Sequence, residues 1–148
     1  MLRTLPRLAN DERGFTLMEL LVTILIIGIL AAIALPMFLG ESDKADDADA
    51  KSNARNLVSL VEACYTGKDD YRLCVTQADL GGNIGIPYGT NPGQAEVSDS
   101  QLDSFTVIAV SKAKTGAANN TFTIDRAANG VTSRTCTGTS GGCHSGSW

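Results

Sequence analysis

The chain has 148 residues, with 16 Asp or Glu against 12 Lys or Arg and a formal net charge of −4. That acidic balance argues against a nucleic-acid-binding body, which would show a basic face. The length suits one modest domain plus an anchor.

The 43% hydrophobic content is concentrated in "RGFTLMELLVTILIIGILAAIALPMF", residues 13–38. From Phe15 to Leu39 the only charge is Glu19. At ~1.5 Å per residue a helix over this run is roughly 38 Å long, more than the ~30 Å of bilayer hydrocarbon. Arg3, Arg7 and Arg13 precede it and the mostly acidic "ESDKADDAD" follows. The positive-inside bias therefore places the N-terminus in the cytoplasm and the body outside. Three readings compete for the run. It is a plain signal anchor, a secretory signal cut near Ala32-Ile33-Ala34, or a signal cut at the cytoplasmic edge that leaves the apolar helix on the mature protein. Glu19 discriminates, because a carboxylate at a membrane helix centre costs about 2.5–3.5 kcal/mol on insertion scales. Neither an anchor nor a secretory signal gains from it.

The stretch "GFTLMELLVTILIIGILAAIALPMF" resembles the N-terminus of type IV pilins and the related pseudopilins, closely over residues 13–39. The resemblance implies a leader Met1–Gly14, cut after Gly14 by a prepilin peptidase, and N-methylation of Phe15. Losing that leader would remove three basic and two acidic residues. It further implies that Glu19 pairs with the N-terminal amine of a neighbouring subunit. A buried carboxylate is tolerable when matched by a cation, and losing one partner strands the other. A local reading of the same residues is a capping box, Thr16-x-x-Glu19, at the helix start. Gly28 and Pro36 interrupt the helix, at ~1 and ~3 kcal/mol in a helix interior. A tolerated membrane-helix kink is expected there, and the resemblance adds local melting when the subunit enters a fibre.

"ESDKADDADAKSNARNLVSLVEACY" continues without Gly or Pro as far as Gly67. Leu57, Val58, Val61, Cys64 and Tyr65 share one helical stripe. One long helix is expected from about Phe15 to about Thr66, apolar all round at first and amphipathic later. Glu41–Asp49 reads as a solvated face, within which Asp47 and Lys51 can pair at i, i+4.

Residues 67–104 read as irregular, with "GGNIGIPYGTNPGQ" as loop. Short helical turns are expected at Thr76–Leu80 and after Ser98, whose spacing to Gln101 suits a cap. Then "SFTVIAV", "TFTIDR" and "GVTSRT" read as strands. "SKAKTGAANN" serves as a hairpin loop between the first two, in a three-stranded antiparallel meander with room for an added edge strand. Phe105, Val107, Ala109, Phe122 and Ile124 are expected to face Leu57 and Val61.

Four cysteines beyond a membrane segment read as two disulfides and an oxidising compartment. Sequence proximity favours Cys64–Cys74 and Cys136–Cys143, with one long staple across the head as the alternative. His144 beside Cys143 lacks the spacing and the fourth ligand of a zinc site. Asp99 and Asp103 lack the wider ligand pattern of a calcium site. No metal or cofactor is expected. Asn119-Asn120-Thr121 is an N-x-T sequon read here as turn. Trp148 is expected to fold back on the head. No nucleophile–base–orienter set, phosphate-cradling loop or paired acids are present, so no enzyme is expected.

The sequence thus predicts an α+β, pilin-like chain in four parts. They are a leader (1–14), a transmembrane and polymerisation helix (15–39), an amphipathic spine (40–66) and a globular head (67–148) with an antiparallel sheet of three to four strands. The function implied by the resemblance is a structural subunit of a type IV pilus. Its partners are further copies of itself, membrane lipid before assembly, a prepilin peptidase, an assembly ATPase and a platform protein. It would sit in the inner membrane as a prepilin and on the cell surface in the pilus. A type II secretion pseudopilin or a minor pilin is the near alternative, and a signal-anchored extracytoplasmic binding domain the distant one.

Overall fold

The computed structural model describes residues 14–139 and 142–148, without the side chain of Leu39. The expected leader, residues 1–14, lies outside the described residues except for Gly14. The chain divides into two compact units, one ending at Met37 and one comprising Phe38–Trp148.

The first unit holds the start of helix α1 (Leu17–Lys68), which runs without a break through Gly28 and Pro36. Its start is fixed chemically. The Thr16 hydroxyl accepts from the Glu19 amide at 3.2 Å, and Glu19 Oε2 accepts from the Thr16 amide and hydroxyl, both at 2.9 Å. This reciprocal pattern is a capping box with Thr16 as N-cap. Helix formation here satisfies the interior backbone groups within the segment, as a lipid environment demands, except the Ala32 carbonyl, which Pro36 cannot bond.

The second unit packs the later part of α1 against one sheet. Ala50, Ala54, Leu57 and Val61 are buried, and they recur every three or four residues along one stripe. The helix ends two residues later than expected, at Lys68. Asp69 takes a left-handed backbone (φ 51°) and donates its amide to the Tyr65 carbonyl at 2.8 Å. An Asp tolerates that conformation and so closes the helix in place of a glycine. A 3-10 turn follows at Tyr71–Leu73, capped by Asp70 accepting from the Arg72 amide.

The sheet is a four-stranded antiparallel meander, in the order β1 (Ala95–Ser100), β2 (Phe105–Thr115), β3 (Ala118–Arg126), β4 (Thr132–Thr137). Phe105, Val107, Ala109, Phe122 and Ile124 are all buried in the core that Leu57 and Val61 share. Three expectations are corrected. Ser98–Gln101 opens no helical turn. Ala95 and Val97 alternate inward and pair with Ala109 and Val107, so the segment is β1, with a register shift after Val97. The β2–β3 loop is not ten residues long. Ser111 and Ala113 continue the inward alternation, so the strands run on to a tight turn at Gly116-Ala117. Glu41–Asp49 is not wholly solvated, because Asp47 is fully buried.

Asp47 is tolerated there because the Asn120 side-chain amide donates to both its oxygens, at 3.1 and 3.2 Å. Asn120 Oδ1 in turn accepts from the Thr115 hydroxyl at 2.8 Å. Disulfides join Cys64 to Cys74 and Cys136 to Cys143. Beyond the second, the chain end lies along the outer edge of β4, where Thr135 bridges to Ser147 and Cys136 donates its amide to the Gly146 carbonyl. Covering that edge removes a template for unwanted strand pairing.

Candidate functional site

The segment with most to explain is Gly14–Met37. Every large hydrophobic residue from Phe15 to Met37 is at least 42% exposed. Isolated exposed apolar side chains are ordinary, but a contiguous surface of this extent marks a lipid or protein contact. By length and composition the helix can cross a membrane. Along one side Leu21, Ile24, Leu25, Gly28, Ile29 and Ala32 line an open apolar groove. Gly28 and Ala32 let another surface approach the backbone closely there, which is how helices pack in lipid.

The polar features cluster at the head of this segment. Gly14 and Phe15 precede the helix, are exposed and have no regular secondary structure. A Cβ at Gly14 would meet nothing within 4 Å, so the fold itself sets no requirement for glycine there. Glu19 sits in the first turn of the helix with its carboxylate turned back on Thr16, and Thr23 donates its hydroxyl to the Glu19 carbonyl at 2.6 Å. The capping arrangement thus supplies donors to Glu19 within one chain. No cation neutralises it there among the described residues.

The other sequence-selected residues lie in the second unit. Cys64, Cys74, Cys136 and Cys143 are all consumed in disulfides. His144 is exposed and its backbone pairs with Ser147. Asp99 lies on β1 and Asp103 in the following turn, both exposed. Among the described residues no group of three His, Cys, Asp or Glu side chains is placed to hold a metal ion. Asn119 lies on β3 rather than in a loop, and its side-chain amide donates to the carbonyls of Ser111 and Lys112 at 2.8 and 3.2 Å. It thereby bridges the irregular register of β2. Trp148 does fold back, edge-on to Phe122 at 5.6 Å between centroids.

Comparison with known proteins converges on the same segment. The prokaryotic N-terminal methylation motif matches residues 9–35. The chain is 36% identical over 78 residues to the type IV major pilin protein PilA of Myxococcus xanthus, covering 53% of this chain and 36% of that one. It is 45% identical over 67 residues to the type II secretion system core protein G of Escherichia coli, covering 45% and 41%. The match thus spans less than half the length of either protein. With the type IV narrow pilus major component PilA5 of Thermus thermophilus it is 30% identical over 107 residues, covering 70% of this chain and 92% of that one. No solved structure matches significantly.

Proposed function

The chain belongs to the type IV pilin family, and on that premise we propose that it is a structural subunit of a type IV pilus. One observation carries the reading. A helical segment long enough to span a bilayer is apolar on all sides, exposes every large side chain, and holds one carboxylate in its first turn.

In this proposal a prepilin peptidase cuts after Gly14, in the exposed non-helical backbone ahead of α1. The new amine of Phe15 is then N-methylated. Cleavage leaves the Thr16–Glu19 capping box intact, so the helix start survives processing. The helix first sits in lipid, with the head outside. Assembly then exchanges lipid for neighbouring helices, with the platform protein and the assembly ATPase supplying extraction. That exchange gains little hydrophobic free energy, because lipid tails are as apolar as leucine. Packing at the Gly28–Ala32 groove and matching of charge must decide it. Glu19 would accept the Phe15 amine of the adjoining copy, converting a costly carboxylate into a buried pair. Gly28 and Pro36 mark where the helix would loosen on leaving the bilayer, since Pro36 lacks the amide to bond the Ala32 carbonyl.

The test is Glu19→Ala in the full chain. Insertion into the membrane should be unchanged, while sheared surface filaments should fall at least ~10-fold, the equivalent of ~1.4 kcal/mol. Wild-type filament yield would overturn the assigned role. N-terminal mass analysis of exported protein should find N-methyl-Phe15. A start at Leu35 or an intact Met1 would instead favour a signal-anchored binding domain. The similarity to core protein G sustains a second reading, a pseudopilin. A deletion strain that keeps its surface filaments but loses protein secretion would favour it.

A further inference from the structure

The indole of Trp148 carries two guanidiniums. Arg55 of α1 stands 5.0 Å and Arg134 of β4 5.5 Å from the ring, each measured to the centroid. The ring is fixed by contacts within the head. Its Nε1 donates to the carbonyls of Thr135 at 2.9 Å and Thr123 at 3.3 Å, and Phe122 meets it edge-on. Both arginines are exposed, and neither has a carboxylate partner among the described residues. A guanidinium over an aromatic face is attracted to the ring and leaves N–H donors for a further partner. The β4 edge of the second unit therefore presents a preorganised dication seeking an anion.

The same unit carries a complementary surface at its β1 edge. Asp46, Asp49, Ala50, Asn53, Gly93 and Lys112 line most of a cleft of about 240 Å³. Asp46 and Asp49 have no ion pair among the described residues. Lys112 offsets one of these two charges, and its stem lies against Gly93. At 240 Å³ the cleft falls below the ~300–1,000 Å³ of small-molecule pockets, a size suited to side chains. Arg55 follows Asp46 by nine residues, about half a turn round the helix at ~100° per residue. The dication and the acidic cleft thus occupy opposite edges of one helix–sheet layer.

We propose that the Arg55–Trp148–Arg134 surface docks the Asp46/Asp49 cleft of a second copy of this chain. Two different, complementary patches on opposite edges make a heterologous contact, which does not close as a two-fold dimer and forms an open filament wherever its rotation does not close a ring. Like charges across a wrong register would repel, so the contact fixes how heads neighbour one another. The proposal rests on the chain being a filament subunit and adds the contact made by its head. Nucleic acid is the competing partner for an Arg–Trp–Arg surface. The acidic net charge and the acidic cleft on the same unit favour another copy.

The test uses the full chain, in filaments and in membranes, with Asp49→Cys and Arg134→Cys as separate variants. Both native cysteine pairs are disulfide-bonded, so a bis-maleimide joins only the introduced thiols. Co-expressed variants should give covalent dimers at least ~10-fold above either variant alone. Equal dimer from a single variant would mean like-to-like contact and overturn the proposal, as would no dimer from the pair. Separately, Arg55→Glu should lower filament yield, and Asp49→Arg in the same chain should restore it. Failure of that rescue, with wild-type levels of folded protein in the membrane, also overturns it. A wild-type chain that makes no filaments would sink the pilin reading, while cross-linking in membranes still reports the contact. Quenching of Trp148 fluorescence by a single-stranded oligonucleotide, without cross-linking, would assign the surface to nucleic acid.

Discussion

Tyr71 shows how one residue ties the head together. It is 1% exposed, stacks on Tyr65 at 4.0 Å, meets Phe105 at 4.7 Å, and donates its hydroxyl to Glu62 at 2.8 Å. Glu62 also pairs with Arg126 at 2.9 Å. Burial, and then the hydrogen bond to Glu62, push the Tyr71 phenol up to about 12. The unfolded chain releases this proton near pH 10, so it ionises first as the pH rises. The neutral phenol's contribution to stability is complete below pH 10 and is lost progressively up to about pH 12. At ~1.36 kcal/mol per pH unit the loss is on the order of 2–3 kcal/mol. Urea midpoints of the detergent-solubilised chain should fall across that window, and Tyr71→Phe should flatten the fall. An unchanged slope in Tyr71→Phe would contradict this account. Cost and compensation also meet at Glu19, where Thr16 supplies the hydrogen bonds that the isolated chain can offer.

At the scale of elements, periodic apolar patterning was legible and small or polar burial was not. Leu57, Val61, Phe105, Val107, Phe122 and Ile124 all announce themselves by spacing and hydrophobicity. β1 has Ala95 and Val97 as its only inward apolar anchors, in a segment otherwise Ser, Asp and Glu, so it resembles loop. The far end of β2 faces inward with Ser111 and Ala113, which carry almost no hydrophobic signal. The buried Asp47–Asn120 bond joins residues 73 positions apart, and no local pattern foretells it. For the same reason the Arg55–Trp148–Arg134 cluster could not be read from spacing. By contrast the long apolar helix was legible, because its signal is contiguous. Gly138 tests the Asn120 network. It holds φ 117°, and a Cβ there would overlap Asn120 Oδ1 and press on the Thr115 hydroxyl. Gly138→Ala should displace Asn120, strand the buried Asp47 carboxylate and cost about 2–4 kcal/mol in urea unfolding. A loss under ~0.5 kcal/mol would show that the network relaxes freely.

For the molecule as a whole, the two units are held together by different physics. The first has no core of its own, and its apolar surface needs lipid or neighbouring copies. The second buries a continuous core whose helical contribution begins only at Asp47 and Ala50. Its two disulfides close short loops within it, with sequence separations of 10 and 7. Each contributes somewhat under ~3 kcal/mol in the chain-entropy model. Removing residues 1–41 should therefore discard the membrane affinity and no core side chain. The remaining fragment should be soluble and folded, and should melt cooperatively with both disulfides intact. Reducing those bonds should lower its melting temperature without exposing a membrane-binding surface. The full chain should partition into membranes whether oxidised or reduced, because that property resides in residues 15–39. Circular dichroism and flotation on lipid vesicles measure the two behaviours independently. A fragment that aggregates would show that the apolar helix supports the head as well as anchoring it, and one that floats with lipid would place membrane affinity on the head too. A clean separation would place anchoring on the apolar helix and folding on the head.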